Sequence, residues 1–193
     1  MPADPATDRA DLEALRRGDE IALNHLIARW ERPLIGFAFR YLSNSADACD
    51  LVAETFVRLY RNRERFYAES NLQAWLFTTV ANLCHNRSRW NRRHSTVTLD
   101  SAVNGTSAAS AQLCSDEPDP GEKLQQVEMI EALERAVAAL PHDLKTTLLL
   151  CHYEHLSYRE IGAVLGCSER GIETRLRRAR QQLRVDIGNS WAT

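Results

Sequence analysis

Residues that interrupt helices are scarce in this chain: among 193 residues there are 8 glycines and 6 prolines. Runs of β-branched residues are short as well. With 44% apolar residues, enough for buried cores, these scarcities argue against a turn-rich β architecture and favour an all-helical one. No apolar run approaches the ~20 residues of a membrane span. The opening stretch MPADPATDRADLEALRR has no hydrophobic signal core, so a cytoplasmic location is expected. The five cysteines, Cys49, Cys84, Cys114, Cys151 and Cys167, are scattered, odd in number and never in a CxxC pair. That argues against a disulfide framework and a cysteine-rich zinc site, and it fits a reducing compartment. Most of them are expected to be small buried hydrophobes. Cys151, His152 and His155 are close on a helix, but no fourth ligand is near, so packing and surface roles outweigh a metal. A Gly-rich phosphate loop, a metal-ligand cluster and a nucleophile–base arrangement are all missing. Neither an enzyme nor a cofactor is expected.

What the chain does have is charge set in blocks. The net charge of −2 is unusual for a protein that only grips DNA, but the distribution is uneven. Residues 85–94, HNRSRWNRRH, hold four arginines and no acid, and residues 174–185 hold five arginines and no acid. Acids collect elsewhere, as in SDEPDPGE at 115–122. Two basic faces on a mildly acidic body point to local DNA contacts plus a separate, non-DNA partner surface.

The length allows one ordinary domain or two small ones. Leu12 and Leu15 open a first helical block, Gly18-Asp19 marks a break and a cap, and an amphipathic stretch follows through Ile27, Trp30, Leu34, Phe37 and Tyr41. Pro33 lies inside that stretch and removes one backbone bond, so a kink is expected there. After the Ser43-Asn44-Ser45 loop, Leu51, Val52, Phe56, Leu59 and Tyr60 form an inner helix face, with Asp47, Asp50 and Glu54 outside. A polar loop at 68–71 leads into a helix over 72–92. Residues 95–121 are small and polar, lack a basic residue and hold no helical stripe, as a flexible linker does. Periodicity returns from Glu122 through Leu124, Val127, Ile130, Leu133, Val137 and Leu140, ends at Pro141, and resumes over 144–153. The expected fold class is all-α: two small helical domains, 8–94 and 122–186, joined by the linker 95–121.

Residues 157–184, SYREIGAVLGCSERGIETRLRRARQQLR, are the most informative stretch. Ser157 and Glu160 stand in the capping-box relation, where each side chain satisfies an orphan N–H at a helix start. Ile161 and Leu165 form one stripe, and Gly166 supplies the permissive backbone that ends the helix. Ser168 is placed to cap a second helix whose apolar positions are Ile172, Leu176 and Leu183, with six arginines on its other faces. This is the pattern of a helix-turn-helix, whose second helix enters the major groove.

Three motifs in this order resemble the extracytoplasmic-function (ECF) sigma factors, the minimal group of the sigma-70 family of bacterial transcription initiation factors. They are ADACDLVAETFVRLY (46–60), NLQAWLFTTVANLCHNRSRWNRR (71–93) and ALPHDLKTTLLLCHYEHLSYREIGAVLGCSERGIETRLRRARQQLR (139–184). The resemblance implies a promoter-specificity subunit that binds core RNA polymerase and promoter DNA; members are often held inactive by an anti-sigma factor, so one is expected as a partner. A free-standing helix-turn-helix regulator is the alternative, but it leaves the N-terminal block unemployed.

By resemblance, the helix at 46–62 docks on the polymerase clamp, with Asp47, Asp50 and Glu54 facing basic residues and Leu51 and Phe56 anchoring by packing. Cys49 and Ala53 stand where an acid and a glutamine are common, which trims polar contacts. Segment 66–93 implies the module that opens the −10 element: Phe66, Ser70, Asn71 and Asn82 build a pocket for a flipped base, and Arg87, Arg89, Arg92 and Arg93 neutralise phosphates. Trp75 and Phe77 are read as core aromatics rather than stacking platforms. The last helix implies the −35 reader, through Ser168, Arg170, Gly171, Thr174, Arg175 and Arg178. Arg170, Gly171 and Glu173 replace the family's frequent glycine, threonine and lysine, so the promoter sequence does not carry over. Glu173 is placed either to accept from a cytosine amino group or to brace a neighbouring arginine. Gly171 costs the helix about 1 kcal/mol relative to Ala, a cost that close backbone approach to DNA would offset.

Overall fold

The computed structural model describes residues 5–67, 70–94 and 120–190, with side chains described except at 5, 120–128 and 189–190. Among the described residues every regular element is helical. In chain order they are α1 (Pro5–Arg16), α2 (Glu20–Leu42), α3 (Ser45–Arg61), a 3-10 turn (Arg63–Arg65), α4 (Leu72–His94), α5 (Pro120–Ala139), α6 (His142–His152), α7 (Tyr158–Leu165) and α8 (Glu169–Ser190).

Side chains next to the helix ends set the boundaries. The Asp19 carboxylate accepts from the Ile21 N–H (2.9 Å) and starts α2. Ser43 ends it in the left-handed region (φ 56°), and the Asn44 amide oxygen accepts from the Asp47 N–H (2.9 Å) to start α3. α2 runs unbroken across Pro33. The proline removes one N–H, but Leu34 and Phe37, both at 0% exposure, hold the helix on the core from the next turn onward.

α2 is the axis of the first block, with α1, α3 and α4 packed around it. Phe77 of α4 sits edge-on to both Trp30 (6.2 Å) and Phe37 (5.7 Å), the geometry ring quadrupoles favour. α1 is fastened by charge: Asp8 and Asp11 both pair with Arg29, and the Trp30 indole N–H donates to Asp8 (3.2 Å). The second block closes α6, α7 and α8 around Leu149, Leu150, Ile161, Ile172 and Leu176, with α5 along α8. α5 starts at Pro120, where the missing N–H costs nothing in a first turn. Residues 95–119, most of the expected linker, lie outside the described residues.

The two blocks rest against each other, α6 on α2 and α7 on α4, and their apolar interiors form one cluster. Helix C-termini leave carbonyls without intrahelical partners, and two are satisfied across this junction. Lys145 Nζ donates to the Tyr41 carbonyl (2.7 Å), placing a cation at the negative end of α2. The Thr78 hydroxyl donates to the Val164 carbonyl (2.8 Å) near the end of α7.

Candidate nucleic-acid interface

The α7–turn–α8 unit is built as its sequence predicts. Ser157 and Glu160 cap each other's backbone, with the Ser157 N–H donating to Glu160 Oε2 (2.8 Å) and the Glu160 N–H to Ser157 Oγ (3.3 Å). Gly166 ends α7 at φ 64°, and Ser168 Oγ accepts from the Gly171 N–H (3.3 Å) in the first turn of α8. One requirement was not read from the sequence. A Cβ on Gly162 would stand 2.6 Å from the Cys167 carbonyl, so only glycine lets the turn fold back this closely. A glycine four residues before the turn glycine is the signal that marks it.

α8 turns Ile172, Leu176 and Ala179 inward and leaves Arg170, Glu173, Arg177, Arg178, Arg180 and Arg184 exposed, with Thr174 half-buried. The Thr174 hydroxyl donates back to the Arg170 carbonyl (2.9 Å). Arg175 departs from the expectation of a base contact. It lies on the side facing α6, 25% exposed, with Nη2 3.2 Å from Asp143 and Nη1 buried without a partner. In this arrangement it spans two helices and does not share a face with Arg170 and Thr174. Gly171 likewise faces the turn: a Cβ there would meet Cys167 Cβ at 3.5 Å, ordinary van der Waals contact.

The outer face of α4 carries the second basic group. Asn82, Arg89, Arg92 and Arg93 are exposed, and Trp90, 54% exposed, stacks on His94 at 4.4 Å. The remaining expected pocket residues are already engaged. Phe66 is 7% exposed and edge-on to half-buried Trp75 (5.2 Å), because apolar burial against α4 outweighs leaving the ring free. Ser70 Oγ accepts from the Tyr67 N–H (2.9 Å), and Asn71 Oδ1 accepts from the Ala74 N–H (3.0 Å) as the cap of α4. Arg87 is bound by Asp47. Phe77, read as a core aromatic, is 1% exposed.

That ion pair also corrects the acidic face of α3. Asp50 is exposed and Glu54 pairs with Arg58 one turn on (2.8 Å), but the Asp47 carboxylate, 17% exposed, turns to Arg87. Leu51 and Phe56, expected to anchor a partner, are 7% and 6% exposed and belong to the protein's own core. The sequence reading missed an apolar groove of about 710 Å³ between α2 and α3, lined by Ile27, Ile35, Val52, Phe56, Val57 and Tyr60. Val57 on α3, 43% exposed, was the available sign, since it continues the apolar face beyond the buried stripe. Of the described cysteines only Cys84 is buried; Cys49 is exposed, and Cys151 and Cys167 are intermediate.

Between the two basic faces lies a cluster of ionisable groups. The Tyr41 hydroxyl and His142 Nδ1 share a hydrogen bond (2.9 Å), the His142 ring lies 4.3 Å from that of His85 on α4, and Lys145 Nζ sits 4.5 Å above the Tyr41 ring. Burial pushes both histidines below their ordinary value, lowers Lys145 to about 8 and raises Cys84 to about 12. No helix of the described residues is long and apolar enough to cross a membrane.

The capped first helix, the turn and the arginine-faced second helix are matched by residues 130–183 to the family Sigma-70, region 4, and residues 26–94 match Sigma-70 region 2. The ECF RNA polymerase sigma-E factor of Haemophilus influenzae is 29% identical over 188 residues, covering 96% of this chain and 97% of that protein. Among solved structures, CnrH in complex with the cytosolic domain of CnrY has the same fold (TM-score 0.67, 21% identity, 93% and 96% of the two chains). The sigma factor RpoE in complex with the anti-sigma factor NepR from Bartonella quintana matches at TM-score 0.58 and 25% identity, over 86% and 96%. The chain belongs to the sigma-70 family, in its ECF group. It is an RNA polymerase sigma factor.

Proposed function

We propose that α8 grips and reads the −35 element through Ser168, Arg170, Thr174 and Arg178, with Gly171 in its first turn. The outer face of α4, through Asn82, Arg89, Arg92 and Arg93, holds the −10 region. The α2–α3 groove, together with Asp50 and Glu54 on α3, docks on core polymerase, where apolar burial holds the complex and complementary charge steers encounter. The protein has no chemistry of its own and works in the cytoplasm. An anti-sigma factor, as in the Bartonella complex, is its expected inhibitor. One observation carries this reading: a helix held from behind by a capped helix presents arginines that have no acid partner among the described residues.

A second reading concerns the arrangement of the blocks, and the Lys145–Tyr41–His142 contacts favour it. Elements at −35 and −10 lie about 25 base pairs apart, roughly 85 Å at ~3.4 Å per pair. α4 and α8 are each only about 35 Å long and are tied through α6, so they cannot hold both elements in this arrangement. Residues 95–119 extend to at most roughly 85 Å, enough for the blocks to part. This is the resting form, and opening uncovers the faces where α6 rests on α2 and α7 on α4.

The test is reconstitution with core polymerase. Asp50→Lys with Glu54→Lys should weaken assembly while leaving helicity intact; unchanged affinity at moderate salt overturns the docking assignment. On promoter duplexes, Arg170→Ala should cost about 1–3 kcal/mol at particular base pairs. Arg178→Ala should weaken every sequence alike and lower the salt slope by about one.

A further inference from the structure

Beyond its first turn α8 carries two acids, half-buried Asp186 after the last arginine and exposed Glu173 within the row of arginines. The Glu173 carboxylate has no ion pair within 4.0 Å and no hydrogen bond among the described residues. The spacing makes this informative. Glu173 and Arg177 stand four apart with the acid N-terminal, the favoured orientation for a helical ion pair. On α3 the same arrangement, Glu54 and Arg58, closes at 2.8 Å. Glu173 instead lines an open cleft of about 960 Å³ between α8 and Tyr158 at the head of α7. The bracing role is therefore unfilled, and the carboxylate is available to whatever enters the cleft.

We propose that Glu173 selects a C·G pair in the upstream element by accepting a hydrogen bond from the cytosine N4 amino group. This rests on the reading of α8 as the −35 helix. An ionised carboxylate only accepts hydrogen bonds. In the major groove the donors are cytosine N4 and adenine N6, while guanine N7 and O6, adenine N7 and thymine O4 are acceptors. Adenine sets its N7 acceptor beside the amino group, where a second carboxylate oxygen is repelled; cytosine has only C5–H there. Guanine and thymine offer the carboxylate no donor. An acid beside phosphates weakens binding to every sequence, so Glu173 trades general affinity for rejection of three bases at one position.

The test uses the full-length chain assembled with core polymerase and a pool of duplexes randomised across the upstream region, selected in parallel with Glu173→Gln and Glu173→Ala. Both variants are exposed changes, checked by helicity. Wild type should enrich one position in C·G, with substitutions there costing roughly 5- to 150-fold. Glutamine should move that same position toward A·T, since its amide pairs with adenine N6 and N7, and alanine should flatten it. Preferences elsewhere should stay. Identical enriched sites in all three, or a uniform gain in affinity with unchanged preferences, overturn the proposal and leave Glu173 as a repulsive charge. Failure of wild type to enrich any upstream site overturns the reading of α8 itself.

Discussion

The two blocks spend their charge differently. In α1–α4, Arg29 is held by Asp8 and Asp11, Arg58 by Glu54 and Arg87 by Asp47. Among the described residues the exposed arginines of α8 have no acid partner, and Arg175 alone among its arginines meets an acid, Asp143. The interiors differ too. Trp30, Phe37 and Phe77 interlock inside the first block, whereas the second is filled by leucine and isoleucine and leans on the first through Thr78, Tyr41 and Lys145. The first block pairs Arg29, Arg58 and Arg87 internally and keeps its exposed cations, Arg89, Arg92 and Arg93, on the outer face of α4. A block that leaves cations free is built for a polyanion, and until one arrives it shelters part of its surface against its neighbour.

The sharpest way to break that contrast is Phe77→Ala. Deleting a 1% exposed ring between two others should cost about 3–5 kcal/mol, read by denaturant unfolding. Unfolding of the first block alone supports separate blocks; a single shared transition makes them one cooperative unit. Next in size, Lys145→Met leaves the Tyr41 carbonyl without its donor and should cost the closed arrangement about 1–3 kcal/mol. The expected readout is a larger radius of gyration in solution scattering; an unchanged one means the apolar contact alone holds the blocks. Ser157→Ala removes the capping box within the second block and should cost about 1 kcal/mol in melting experiments, leaving the first block's stability alone. Gly171→Ala should stabilise the free protein by about 0.5–1 kcal/mol, since a Cβ fits there without a clash. Weaker promoter binding by that variant would locate a close backbone approach.

Protons should have the smallest effect, and its sign follows from the junction. His85 and His142 face Tyr41 on α2, Cys84, Arg89 and Arg92 on α4, Asp143 and Lys145 on α6, and Arg175 on α8. Burial lowers both histidines from 6.5, so the closed form binds fewer protons than the open one as pH falls below that value. The histidine contribution to closure is fully present above pH 6.5 and is lost on the acid side of it. Scattering across pH 5 to 8 (roughly the histidine range) checks this, and His142→Gln should flatten the response.

Much of this was legible in the residues. Helical periodicity placed α2, α3, α4 and α8, and the capping box and turn glycine announced the helix-turn-helix, because local hydrogen bonds and one-face burial depend on near neighbours. Which polar side chains are free is a different matter. Asp47 and Arg87 lie 40 positions apart and Arg175 and Asp143 lie 32 apart, so no local pattern pairs them. The same holds for Phe66, whose fate depended on Trp75 closing over it.

The sequence by itself determined the helices, their order, the inward stripes and the basic faces, since each follows from spacing along a single helix. Tertiary structure alone decided that the two blocks close, that Lys145 donates to the Tyr41 carbonyl near the end of α2, that Asp47 pairs with Arg87 and that Arg175 pairs with Asp143. Those outcomes depend on which distant groups come within hydrogen-bond reach once apolar faces are buried, and charge placed on a helix face does not say what will stand opposite it.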